Sequence, residues 1–187
     1  MSGNPTIGIA ASTEKIGKAG LAVRRGVIRS LNGIDEIESE IVSLVRTIVS
    51  DSLQAARSVP GESVGIIKDI VTGSIQAAEE FDAGLILSIK SVAKGIMMGA
   101  SDVDRDLVSV AGLTLKGIVR GSAENGADIE LVTRRAVQGV LEATRDVGGN
   151  VEEVARASVV GAVGAAASIG NTSVEAARDI MAVSLLR

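Results

Sequence analysis

The stretch AVQGVLEATRDVGGNVEEVARASVVGAVGAAASIGN, residues 136–171, contains nearly the same pattern twice. The pattern continues through most of the chain when the sequence is written in rows of 22 residues without insertions. The rows begin at Ile41, Ser63, Leu85, Leu107, Ile129, Val151 and Ser173, and one further row fits from Ala19. Self-similarity at a fixed period is typical of repeat proteins. We therefore predict a single helical-repeat domain over residues 19–187 and an irregular or partial repeat over residues 1–18.

Within a row, apolar residues recur at intervals of three and four, which is helical spacing rather than strand alternation. Rows end in residues that favour turns, such as Pro60-Gly61 and Gly148-Gly149, because proline lacks a backbone donor and glycine reaches positive φ at low cost. This predicts an all-α fold of about eight short antiparallel helices, arranged as an α-solenoid or a multi-helix bundle. One very long helix is the alternative, and residues 104–106 form the weakest predicted break.

Polar residues at the row ends have the spacing of helix caps. Asn150 stands three residues before Glu153, and Thr172 three residues before Glu175. In a capping box, the first side chain accepts a hydrogen bond from the backbone of the fourth residue. Both pairs therefore predict helix starts.

The eleventh position of the row is glycine in five successive copies, and the fifteenth is alanine or glycine. A glycine inside a helix costs about 1 kcal/mol relative to alanine, so its recurrence indicates a repeated compensation. Small residues four apart let another helix approach closely. We predict close helix packing at these positions; a groove for a ligand or lipid chain and a membrane dimer motif are the alternatives. The predicted packing residues are Gly73, Gly95, Gly117, Gly139, Gly161, Ala77, Gly99, Gly121, Ala143 and Ala165.

The sixth position of the row is basic in most copies. It is Arg134 in one row and Arg156 in the next, and each follows a glutamate by four residues, Glu130 and Glu152. Pairs with this spacing and order stabilise a helix by a few tenths of a kcal/mol. We interpret the basic positions as part of a solvated helix face. A stripe that binds a polymer or an anionic surface is the alternative.

Composition removes most catalytic chemistry. The chain has no histidine and no cysteine, which excludes an imidazole base, a thiolate nucleophile and the usual zinc sites. Asp102, Asp104 and Asp106 resemble the start of a calcium loop, but Leu107 stands where that loop needs glycine and Leu113 where it needs glutamate. We therefore predict no enzyme activity, no cofactor and no metal site, and interpret the three aspartates as an acidic turn.

The net charge of −4 argues against nucleic acid as the main ligand, since phosphate binding needs a concentrated basic surface. No run of apolar residues is long enough to cross a bilayer, and the first residues lack a secretory signal. We expect a cytoplasmic protein without a transmembrane segment.

These observations predict a non-catalytic structural or scaffolding protein that forms homo-oligomers or binds a protein partner through small-residue helix faces. The last row ends in apolar residues without a polar capping repeat, which predicts self-association there. The alternative is an amphipathic-helix protein that associates peripherally with lipid or another hydrophobic surface, as a granule or droplet coat does. The predicted self-association residues are Ile180, Met181, Leu185 and Leu186.

Overall fold

A computed structural model of the chain describes residues 17–31, 37–59, 61–79 and 84–170. These ranges contain seven α-helices and no strand, which confirms the predicted all-α class. The eighth predicted helix and residues 1–16 of the irregular first repeat lie outside them, and Lys18, assigned to that repeat, begins α1. The helices are α1 (Lys18–Leu31), α2 (Ile37–Ala55), α3 (Glu62–Glu79), α4 (Gly84–Ser101), α5 (Leu107–Glu124), α6 (Ile129–Asp146) and α7 (Val151–Ile169).

Polar side chains cap the amino-terminal ends of α5, α6 and α7. The Val108 amide donates to the carboxylate of Asp106 at 3.0 Å, and the Leu131 amide to that of Asp128 at 3.0 Å. Asn150 accepts from the amide of Glu153 at 3.2 Å, so the predicted helix start is confirmed there. Each cap pairs a backbone donor that has no partner within its helix. The Thr172 cap lies outside the described residues.

The turns before α5, α6 and α7 share one backbone conformation. Gly126 and Gly148 have φ of 66° and 72°, and Asp104, one or two rows earlier at the same row position, has φ of 54°. Aspartate enters this left-handed region more readily than most residues because its short polar side chain bonds locally. The chain therefore breaks at residues 104–106, and the single long helix is wrong across this junction.

Each helix packs most extensively on the second helix along the chain, and less on its immediate neighbours. Helices α1, α3, α5 and α7 form one layer, and α2, α4 and α6 form the other. The seven described helices thus form a two-layer array with the stacking of an α-solenoid. Helices within a layer run parallel: a β-carbon added at Gly95 would meet Val45 of α2, and one at Gly99 would meet Val49.

The core lies between the layers and is aliphatic. Its largest fully buried side chains include Ile96 and Met97 of α4 and Leu115 and Ile118 of α5. Helix α4 contacts the helices on both sides in its own layer and both neighbours in the other. Within the described residues, the surface left to solvent therefore includes the outer face of each layer.

Candidate interaction surfaces

The five glycines of the eleventh row position lie where each helix meets the preceding helix of its own layer. A β-carbon at Gly139 would meet the carbonyl group of Lys90 in α4. One at Gly161 would meet the carbonyl group of Gly112 in α5. These neighbours are backbone atoms, which cannot rotate away. The glycine positions are therefore occupied by the chain's own helices.

The small residues of the fifteenth position lie one turn further along the same contacts. Ala77, Ala143 and Ala165 are fully buried. A β-carbon at Gly99 would lie 2.7 Å from Cβ of Val49, and one at Gly121 would overlap the end of Ile75. Gly99 and Gly121 thus lie where helices of one layer meet, and the three alanines lie in the core.

Glycine at the eleventh row position depends on where the helix stands in its layer, which the sequence analysis did not predict. Glycine first appears in the third helix; the same position is Arg29 in α1 and Asp51 in α2. Among the described residues, no earlier helix precedes these two in its layer, and Asp51 is exposed. At Asp51, the first described helix of its layer thus carries an exposed charge where the stacked helices have glycine, as a polar capping repeat does. The residues at the eleventh row position show this difference in the sequence alone.

At the basic position, Arg46 of α2 and Lys90 of α4 contact acidic residues in or just after the next helix of their layer. In the layer of α2, α4 and α6, Arg46 donates to Asp102 near the end of α4, and Lys90 lies 2.9 Å from a carboxylate oxygen of Glu142 in α6. Lys94 lies 2.7 Å from Asp146. These ion pairs join different segments of the chain, and the sequence analysis did not predict them.

The local ion pairs were foreseen. Arg134 contacts Glu130 at 2.7 Å, and Arg156 contacts Glu152 at 2.6 Å, which confirms the predicted spacing. All four side chains are exposed, so each pair contributes little to stability.

The Arg46 guanidinium donates two hydrogen bonds to the carboxylate of Asp102, from Nε at 2.6 Å and from Nη2 at 2.7 Å. Hydrogen bonding from Arg46 is the main cause that lowers the pKa of Asp102, and the same contact raises the pKa of Arg46. The pKa of Asp106 is also lowered, chiefly by the hydroxyl of Ser109 and then by backbone amides. Both carboxylates stay ionised to lower pH than an isolated aspartate.

We expect Asp102→Asn to reduce stability at pH 7 and to reduce it less at pH 3. A carboxylate whose pKa is lowered by folding stabilises the protein above its unfolded value, about 3.9, and this stabilisation disappears as the pH falls through the folded value. Urea unfolding followed by circular dichroism at both pH values measures the difference. Asp51→Asn, an exposed change in α2, serves as control; an equal loss at both pH values would contradict the assignment.

The three aspartates that resemble a calcium loop each have another role. Asp102 pairs with Arg46, Asp106 caps α5, and Asp104 lies 4.0 Å from Arg57. Arg105 between them donates to the carbonyl oxygen of Leu53, near the carboxyl end of α2, at 3.1 Å. The acidic turn thus binds α2 and the turn after it through two ion pairs and one hydrogen bond. Among the described residues, no group of three possible ligands is placed to hold a metal ion.

A shallow cleft of about 300 Å³ crosses the outer face of α2, α4 and α6. Its cations are Arg46, Lys90 and Lys94, and each lies against a carboxylate of a neighbouring helix. Ser39 and Ser43 of α2 also line the cleft. Because its positive charges are already neutralised, the cleft offers little attraction to an anionic ligand.

Helix α7 carries the most exposed large apolar side chain described. Val160 is 71% exposed and Ile169 is 41% exposed. Gly164 and Ala167 are exposed on the same helix. The predicted self-association residues Ile180, Met181, Leu185 and Leu186 lie beyond it, outside the described part of the chain. The sequence reading did not select the α7 surface, although the loss of polar residues from its row was visible.

No protein-family model matches the sequence, and no curated protein matches it. Among solved structures, the chain is similar to the crystal structure of a de novo designed helical repeat protein, DHR7. The two share 20% identity with a TM-score of 0.52, over 87% of this chain and 90% of that one. At this identity the likeness shows the fold, which is a helical repeat. Of the helices described, none has the length and apolar character needed to cross a membrane.

Proposed function

We propose that the chain is a non-catalytic scaffold that self-associates through the carboxyl-terminal end of its helical array. The observation that carries the proposal is the difference between the two ends. The first end has charged residues, Arg29 and Asp51, at the glycine position. The last described helix instead exposes Val160 and Ile169. An array with one polar end and one apolar end is expected to associate through the apolar end.

The residue types of the chain and the ion pairs of the cleft support a role without catalysis. The chain lacks histidine and cysteine, and the cations of the cleft are occupied by ion pairs. We therefore propose a protein without enzyme activity or cofactor that works in the cytoplasm and presents its outer helix faces to a protein partner. The similarity to a designed helical repeat supports the scaffold architecture alone.

The test is molar mass by light scattering over a concentration series, for the natural chain and for a variant with Leu185 and Leu186 both changed to Glu. We expect the natural chain to form oligomers and the variant to form fewer, because charge at an apolar interface must be desolvated. A natural chain that stays monomeric at every concentration would refute self-association.

Flotation with lipid vesicles tests the alternative of a surface coat. The apolar faces of α2 to α6 are already buried between the layers, so binding through them would require the array to open. We expect the protein to remain in the dense fraction. Flotation with the vesicles would favour the coat instead.

A further inference from the structure

Helices α3 and α5 meet less extensively than the other described pairs of helices that follow each other in a layer. In their layer, α1 packs extensively on α3, and α5 packs extensively on α7. In the second layer, α4 packs extensively on the helix at each side. Because each unit of a repeat array contacts only its neighbours, one weak contact divides the first layer into two tight pairs, α1 with α3 and α5 with α7.

The glycine position shows the same difference at the scale of atoms. At Gly73, Gly139 and Gly161, an added β-carbon would meet a backbone carbonyl group of the preceding helix in the layer. At Gly117 of α5, the nearest atom is Cγ1 of the Val71 side chain, at 3.3 Å. The backbone of α5 therefore lies further from α3 than the backbones approach in those three contacts.

Side chains, rather than backbone, fill the space between α3 and α5. Val71 of α3 faces Gly117, and the end of Ile75 faces Gly121. Both side chains are buried, each 1% exposed. Side chains can shift between rotamers when packed helices slide by small amounts, whereas two backbones in contact have no such freedom. The contact between α3 and α5 is therefore the easiest in its layer to adjust.

The stagger between stacked helices also varies along the array. Gly117 faces Val71, the ninth residue of its row, whereas Gly139 faces Lys90 and Gly161 faces Gly112, both the sixth residue. Three residues correspond to about 4.5 Å along a helix, nearly one turn. The repeat therefore accepts more than one stagger between neighbours of a layer.

We propose that the contact between α3 and α5 is a hinge at which the array changes its curvature. The pair of α1 and α3 moves relative to the pair of α5 and α7, while α2, α4 and α6 stay joined. Backbone contact between Lys90 and Gly139 holds α4 to α6. The ion pairs of Arg46 with Asp102 and of Lys90 with Glu142 cross the outer face of the same layer. The hinge concerns one chain and goes beyond the proposed self-association.

The test compares distance distributions along the two layers by double electron–electron resonance. Spin labels attached through p-acetylphenylalanine at Gly65 and Gly164 connect α3 to α7 across the hinge, and labels at Thr47 and Gln138 connect α2 to α6. All four positions are exposed, and a β-carbon at either glycine has open space. Each pair spans two helix contacts, roughly 20 Å at 8–10 Å per contact.

We expect the distribution between Gly65 and Gly164 to be about twice as wide as that between Thr47 and Gln138. Dilution with unlabelled chain restricts the signal to distances within one molecule. Because the second pair has the same labels and the same number of helix contacts, it is the matched control. Equal widths for the two pairs would overturn the hinge.

A disulfide across the contact tests the cause of the width. An added β-carbon at Gly117 lies 3.5 Å from Cβ of Val71, within the usual range of about 3.5–4.5 Å between β-carbons joined by a disulfide. The chain has no cysteine, so Val71→Cys with Gly117→Cys can form only this bond within a molecule. We expect oxidation to narrow the distribution between Gly65 and Gly164 to the control width, and reduction to restore it.

The remaining outcomes also decide the proposal. A wide distribution that persists with the disulfide closed would place the movement elsewhere and refute the hinge. If circular dichroism shows that the cysteine variant does not fold, the comparison of the two label pairs decides alone. A chain that is monomeric by light scattering but has the wide distribution would refute self-association and leave the hinge standing.

Discussion

Replacing Gly139 with alanine is expected to destabilise the protein by about 2 kcal/mol, although alanine is the better helix former. The added methyl group would meet the carbonyl of Lys90 and, at 3.1 Å, the backbone nitrogen of Lys94. Helices α4 and α6 would have to separate, and overpacking of this kind costs about 1–3 kcal/mol or more. The gain in helix propensity, about 1 kcal/mol, offsets only part of this cost. Urea unfolding followed by circular dichroism at 222 nm measures the result.

Gly65→Ala is the matched control for this prediction. Gly65 also lies within a helix, α3, but a β-carbon there would have nothing within 4 Å. The same substitution should therefore stabilise the protein by up to about 1 kcal/mol through helix propensity. Opposite signs at Gly139 and Gly65 are the expected result. Stabilisation at both positions would show that the helices of a layer do not approach as closely as described.

Ile96→Ala in α4 is expected to destabilise the protein by about 3 kcal/mol. The side chain is fully buried, and its truncation removes apolar contacts and leaves a cavity, which typically costs 2–5 kcal/mol. Because α4 contacts helices on both sides of it, truncating Ile96 also weakens the interfaces that join the helices before α4 to those after it. Stability in a repeat array is the sum of the repeats and the interfaces between them. Urea unfolding should therefore show a lower midpoint and a broader transition.

A graded series checks the physical cause. Ile96→Val removes one methylene and should cost about 1 kcal/mol, within the usual range for that change. Val64→Ala, at a half-exposed position of α3, should change stability by less than about 0.5 kcal/mol. If Ile96→Ala costs no more than Val64→Ala, the core between the layers is not packed around α4 as described.

Sequence periodicity predicted the helices because the same physical rule, one apolar face per helix, acts in every row. It also predicted the local pairs Glu130–Arg134 and Glu152–Arg156 and the cap at Asn150, since these depend only on residues a few positions apart. Such contacts are set by helix geometry, which the row position specifies.

The arrangement of the helices in two layers could not be predicted from the 22-residue period. A period of 22 residues treats α4 and α5 alike, whereas in the structure the repeating unit is a pair of helices. The ion pairs of Arg46 with Asp102 and of Lys90 with Glu142 join residues more than 50 positions apart. Predicting them requires knowing which helices are neighbours in a layer. The turn at Asp104 was ambiguous for a simpler reason, since aspartate is a weaker left-handed residue than the glycine that fills this position in later rows.

The surface of α7 was missed because its exposed residues are small. Val160 and Gly164 look like ordinary members of an alanine-rich row until the corresponding residues of α5, Lys116 and Arg120, are known to face solvent. The absence of two charged residues from the row of α7 thus changes the character of one exposed helix face.

The alternation of helices between two layers limits how a chain of this kind can change in length over evolution. A duplication or deletion of 44 residues, two rows, returns every later helix to its own layer. One of 22 residues would move all later helices to the opposite layer and separate Lys90 from Glu142, a contact that belongs to one layer only. Descendants of this chain should therefore differ from it by whole helix pairs, and a tandem duplication within the gene should be retained only at that step.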